Sequence, residues 1–120
     1  QIWIVPSRED IDPSYQQFAY APVEKHNVLR LMAGPDTNNV AAAHIHQDAQ
    51  MYAAVLDRDN AITYTIPRGR HVWLHCAAGH MDVNGMALEE GDGVGVSDES
   101  ALEIRGTGAE GAELILFDLA

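Results

Sequence analysis

What this sequence has little of excludes several classes of protein. Cys76 is the only cysteine, so no intrachain disulfide can form, and its apolar neighbours predict a buried strand position rather than a reactive thiol. The chain has 7 basic side chains against 18 acidic ones, and a net charge of −11 repels nucleic acid and anionic membrane surfaces. No segment approaches the roughly eighteen apolar residues of a membrane span, and no basic leader is present. We therefore expect a cytoplasmic protein that binds neither nucleic acid nor membranes.

Helical periodicity is also nearly absent. Short strand-like runs alternate with turn residues at close spacing, which is typical of an all-β sandwich or barrel. The clearest runs are residues 15–20, 28–33, 41–46, 50–56, 61–66, 71–77, 81–84, 94–97, 101–105 and 112–118. Residues 22–27 could form a turn or two of helix, and Asn84-Gly85 suits a two-residue hairpin turn. A length of 120 residues predicts one domain over residues 1–120.

The start of the chain carries a further prediction. Residues 2–5 are apolar at successive positions, which is the pattern of a strand that is covered on both faces. The sequence enters this run directly and begins at Gln1 rather than at methionine. We therefore expect that a further segment belongs upstream.

Several short motifs follow one another along nearly the whole chain. They are Ile-Trp-Ile-Val-Pro at 2–6, Asp-Pro-Ser-Tyr-Gln-Gln at 12–17, His-Gln-Asp at 46–48, Val-Asn-Gly at 83–85, Glu-Gly-Asp-Gly at 90–93, Ser-Asp-Glu at 97–99 and Leu-Phe-Asp-Leu at 116–119. In this order they resemble the carboxy-terminal cupin half of a pirin-like, quercetinase-type bicupin protein. The resemblance implies a cupin-type β-barrel, that is, a double-stranded β-helix or jelly roll. In that family the first of two barrels usually carries the metal, and some bacterial members open flavonols such as quercetin with dioxygen. The second barrel is usually metal-free.

His44 and His46 are the first candidate metal ligands. On a strand, side chains two residues apart point to the same face about 6 to 7 Å apart at Cα, so both imidazoles could turn toward one ion. The resemblance implies a carboxylate ligand shortly after this pair and a further histidine in a second motif. Gln50 or Met51 stands at the first of these positions and Val96 at the second. Gln50 could offer a weak neutral oxygen, whereas Met51 suits only soft metals.

Two other residues could complete a metal site. His75 shares one face of its predicted strand with His71 and Trp73, so it reaches the interior only if that face is the inner one. Asp98 follows the position of the missing histidine, in a turn-like segment where carboxylates are commonly solvated. With these ligands, a single divalent Fe, Ni, Mn or Cu ion would suit a non-haem oxygenase. The alternative is that these side chains are hydrogen-bonded or solvated polar residues on strands.

Two functions therefore remain open. The first is a pirin-like cupin domain that is non-catalytic alone, needs no cofactor and serves as a barrel for interaction or for binding a small aromatic molecule. The second is a metal-dependent dioxygenase acting on flavonol-like substrates. We expect no catalytic side chain in the first case, and we expect a homodimer or an upstream cupin half as the partner, because uncovered apolar surface favours association.

Overall fold

Strands make up nearly all the regular structure of residues 1–38 and 40–120, which this computed structural model describes. Their bounds are β1 Arg30–Gly34, β2 Ala43–His44, β3 Ala49–Leu56, β4 Ala61–Thr65, β5 His71–Val83, β6 Met86–Glu89, β7 Gly93–Val96, β8 Ala101–Gly106 and β9 Ala112–Leu119. A single turn of 3-10 helix, Pro22–Lys25, precedes β1. The prediction of an all-β fold with at most a short helix is confirmed. No helix in the described part of the chain is long and apolar enough to cross a membrane.

The strands form two sheets that share β5. The first sheet has the order β2-β1-β3-β9-β5-β7, and in the second sheet β5 pairs with β6 and β8, while β4 pairs with β8. The amino-terminal half of β5 pairs with β9 and β7, and its carboxyl end pairs with β6 and β8. The register of β5 against β9 shifts between Cys76 and Ala78, and Gly79 follows at φ +75°. This irregularity lets one strand turn from the first sheet into the second, which produces a jelly-roll architecture.

The core lies between the two sheets and follows the alternation of side chains along the strands. Val72, Leu74 and Cys76 on β5 are buried, as are Leu114 and Leu116 on β9. The buried position predicted for Cys76 is confirmed, and burial raises the pKa of its thiol, which keeps it protonated and unreactive. The buried side chains therefore show which of the two faces of each central strand is the inner one.

Some element predictions were wrong. Residues 2–5 and 15–20 form no strand, and Trp3, Val5 and Tyr15 are 87%, 78% and 83% exposed. An extended run becomes a strand only when a neighbouring backbone pairs with it, and the apolar pattern alone does not show whether such a neighbour is present. The runs at 71–77 and 81–84 join into β5, and β6 follows it through the predicted Asn84-Gly85 turn, whose φ angles are +51° and +86°.

Candidate functional site

His44 and His46 lie at an edge of the first sheet. β2 pairs in parallel with β1, and the backbone N–H of His44 donates to Oε1 of Gln16 at 2.6 Å. The carbonyl oxygen of His46 accepts a hydrogen bond from the backbone N–H of Ser7 at 2.7 Å. Both histidines are exposed, and their ring centroids are 4.7 Å apart with the rings edge-on at 89°. The structure thus brings the two imidazoles together beside residues 2–20, the amino-terminal segment that precedes the 3-10 helix.

The other candidate ligands have different surroundings. Oε1 of Gln50 accepts a hydrogen bond from the hydroxyl of Tyr52. His75 is on the face of β5 opposite Leu74 and Cys76, so its side chain points away from the core. Asp98 is exposed in a turn at φ +62°.

The donor set implied by a metal-loaded cupin can be tested against these positions. Within residues 1–38 and 40–120, no three His, Cys, Asp or Glu side chains lie close enough together to hold a metal ion. His44 and His46 are therefore adjacent without His75 or Asp98 joining them. These residues do not fit the full ligand sphere of a metal-loaded cupin barrel.

A buried polar network, which the sequence did not predict, lies where β9 ends. Asp118 is 1% exposed, and its carboxylate accepts hydrogen bonds from the hydroxyl of Tyr64 and from Nε of Arg70. A terminal nitrogen of Arg70 also donates to Oδ1 of Asp48 at 2.8 Å. Asp118 is the Cα partner of Gln50 on β3, so the network adjoins the Tyr52–Gln50 hydrogen bond. A sequence signal existed, because Asp118 continues the buried alternation of Leu114 and Leu116.

Burial and charge fix the protonation states of this network. Burial raises the pKa of Tyr64, and its hydrogen bond to the Asp118 carboxylate raises it further. Burial also raises the pKa of Tyr52, whose ring centroid is 5.5 Å from that of Tyr64. The hydrogen bond to Asp118 raises the pKa of Arg70 above its ordinary value. The phenols therefore stay protonated donors and the guanidinium stays charged, which suits structural cohesion rather than proton transfer.

Two open clefts border this end of the barrel. One of about 300 Å³ is lined by the Pro67-to-His71 turn together with Asp98 and Glu99. The other, of about 350 Å³, lies between Ile4 and Val5 of the amino-terminal segment and the end of β9, including Phe117. Beside the second cleft the amino-terminal segment meets the barrel through hydrogen bonds, because Nε2 of Gln47 donates to the carbonyl oxygen of Val5 at 2.8 Å and the N–H of Ser7 donates to that of His46.

The fold and the two-sheet core define this chain as a cupin. Residues 31–119 match the family model described as the quercetinase C-terminal cupin domain, and the chain belongs to this pirin-like family. It is 31% identical over 119 residues to a quercetin 2,3-dioxygenase of Escherichia coli strain K12, which covers 99% of this chain and 49% of the relative. It is 32% identical over 120 residues to a pirin-like protein of Caulobacter vibrioides, which covers 100% of this chain and 51% of that protein.

Solved structures agree with this family assignment. The crystal structure of the bacterial pirin YhhW from Escherichia coli in complex with nickel(II) superimposes with a TM-score of 0.85 at 30% identity, covering 98% of this chain and 48% of that one. The chain thus spans about half the length of the curated relatives that it matches.

Proposed function

We propose that this chain is a pirin-type cupin barrel that serves as an interaction module and carries out no catalysis alone. The observation that carries the proposal is the exposed apolar surface of the amino-terminal segment. Ile2, Trp3, Val5 and Tyr15 are 52%, 87%, 78% and 83% exposed. Exposed apolar side chains of this size favour burial against a partner.

The partner that we propose is a second cupin barrel. The matched relatives are about twice as long as this chain, which leaves room in them for another domain of similar size. That barrel is an upstream half where one is present, and a second copy of the chain where the chain stands alone. A two-fold homodimer would let each copy cover the same apolar segment of the other.

The interior polar network supports a non-catalytic role. Asp118 supplies a buried carboxylate, but Arg70 and Tyr64 already occupy its oxygens. A carboxylate held in this way stabilises the barrel end, and at 1% exposure it is inaccessible to a substrate or an ion from solvent. The same barrel end presents the Tyr52 and Tyr64 rings, against which a small aromatic ligand would pack if the barrel binds one.

Sedimentation velocity over a wide concentration range tests the interaction role. We expect the purified chain to form dimers, and we expect the double variant Trp3→Ser/Tyr15→Ser to remain monomeric. Val23→Ser is the matched control, since Val23 is 73% exposed outside this segment, and it should dimerise like the unaltered chain. A monomer at high concentration for the unaltered chain rejects the proposal.

A metal-dependent dioxygenase is the second candidate function. It is favoured by the 4.7 Å separation of the His44 and His46 rings and by the curated relative named as a quercetin 2,3-dioxygenase. A bound Fe, Ni, Mn or Cu ion would supply the activation of dioxygen. Its test is loss of quercetin with uptake of dioxygen after incubation with each metal. Turnover that His46→Ala abolishes would put this function first, and unchanged quercetin in every sample would reject it.

A further inference from the structure

We propose that His44 and His46 form a two-imidazole chelate for Cu²⁺ or Ni²⁺ at the exposed edge of the first sheet. Such a site differs from a complete cupin centre because it needs no protein ligand beyond the pair. It does not rest on the proposed interaction role.

The spacing of the two rings fits two adjacent positions on one ion. A metal–nitrogen bond of about 2.0 Å places each imidazole centroid about 3.2 Å from the metal. Ligand angles between about 90° and 110° then separate the two centroids by about 4.5 to 5.2 Å. The observed separation is 4.7 Å. Exposed side chains can rotate about χ2, so each ring can present a nitrogen to a shared ion without movement of the backbone.

The imidazole nitrogens of this pair are available for coordination. Neither ring of His44 or His46 hydrogen-bonds to a residue in the described part of the chain, because their hydrogen bonds to Gln16 and Ser7 use backbone atoms. By contrast, the ring of His26 bonds to Asp57 at 2.9 Å and that of His71 to Ser97 at 2.8 Å. Two adjacent, exposed and unbonded imidazoles distinguish the His44–His46 pair.

The donor set selects the class of metal. Imidazole suits Cu, Ni and Zn ions, and among these divalent ions affinity is highest for Cu²⁺. Cu²⁺ and Ni²⁺ also accept tetragonal geometries in which two nitrogens occupy adjacent positions and water fills the rest. The net charge of −11 raises the local concentration of such cations near the surface.

Titration calorimetry of the purified chain with Cu²⁺ and with Ni²⁺ tests this site. We expect one ion per chain, and we expect His44→Ala and His46→Ala each to weaken binding roughly a hundredfold, because the second imidazole no longer acts at high effective concentration. Both variants should fold normally, since the backbone hydrogen bonds at these positions persist in alanine. His80→Ala, which removes another exposed histidine, is the control and should bind like the unaltered chain.

Electron paramagnetic resonance of the Cu²⁺ complex gives an independent measurement. Two imidazole nitrogens should appear in the unaltered chain and in His80→Ala, and fewer in His44→Ala. Equal affinities and equal spectra for the unaltered chain, His44→Ala and His46→Ala would overturn the proposal. That result would leave the sedimentation test of the interaction role unaffected, so the two proposals can fail separately.

Discussion

At the scale of single residues, Asp118 shows how a charge is accommodated inside the barrel. Its position is an inward one on β9, where the other inward side chains are apolar. Burial of a carboxylate is unfavourable unless a cation and hydrogen bonds compensate it. Arg70 and Tyr64 provide both, and Asp48 engages a further nitrogen of the same guanidinium. We therefore expect Asp118 to contribute more to the free energy of unfolding than Asp48, the solvent-exposed member of the network.

Replacement of Asp118 by asparagine tests this difference. Asp118→Asn should lower the free energy of unfolding by about 3 kcal/mol, because it leaves the Arg70 guanidinium without its buried counter-charge. Asp48→Asn breaks an ion pair with the same Arg70, but the Asp48 side chain is 63% exposed, so we expect a loss of about 1 kcal/mol or less. Urea denaturation measures both values, and equal losses would contradict the assigned importance of the buried carboxylate.

The hydrogen bonds of Asp57 make the stability of the fold depend on pH. Hydrogen bonds from His26 and Asn27 hold the pKa of the Asp57 carboxyl below its ordinary value. The unfolded chain therefore takes up a proton first as the pH falls, so the stabilisation is fully present above the ordinary carboxyl pKa of about 4 and is lost below it. Asp57→Asn should remove this contribution. The difference in unfolding free energy between the two proteins should be constant above about pH 5 and shrink toward pH 3, whereas a constant difference throughout would argue against it.

At the scale of elements, predicted strands that pack one face on the core are present in the structure. The predicted strands at residues 2–5 and 15–20, which pack neither face on the core, are absent. The bounds of β3, β8 and β9 match the predicted runs to within one residue, and burial alternates regularly along β8 and β9 because one face packs on the core. β5 was split into two runs, since its irregularity near Gly79 interrupts the alternation. Residues 2–5 have the composition of a strand, but no strand pairs with them in the part of the chain that the structure describes. The alternation of apolar residues therefore predicts which side chains are buried better than it predicts which backbone segments pair.

The bend in β5 depends on a glycine. Gly79 has φ +75°, and a Cβ atom there would lie 2.2 Å from the carbonyl oxygen of Gly111. Gly79→Ala should cost more than about 3 kcal/mol of unfolding free energy, since backbone must move to admit the methyl group. Gly69→Ala is the matched control, because Gly69 has φ +81° with open space around it, and only the conformational cost of about 1 to 2 kcal/mol applies. Equal losses of unfolding free energy for the two variants, in thermal or urea denaturation, would show that the close approach of Gly79 to Gly111 is unimportant.

At the scale of the whole molecule, the order of motifs predicted the family and the barrel fold, whereas the site was predicted only in part. The nearness of His44 and His46 follows from strand geometry, which acts over two residues. The Asp118 network joins residues from different strands and the turn before β5, and no local pattern predicts which of them meet. His75 was left open because a period of two defines two faces without stating which one is inner.

Hydrogen exchange at two concentrations tests the partner surface on this scale. In dilute solution, amides of β5 and β9 should exchange slowest, because they pair at the centre of the first sheet. Those of residues 2–20 should exchange fast, except that of Ser7, which donates to His46. Raising the protein concentration should slow amide exchange in residues 2–20, whereas the exchange rates in β5 should not change. Slow exchange of residues 2–20 in the monomer would mean that the segment is already secured by its own barrel.

The sharing of β5 between both sheets has a consequence for cooperativity. β5 supplies partners to β9 and β7 in one sheet and to β6 and β8 in the other. Separation of either sheet from β5 exposes core side chains of the other as well, so neither sheet persists alone as a partly folded species. Denaturation then follows a single two-state transition, in which far-ultraviolet circular dichroism and tryptophan fluorescence change together.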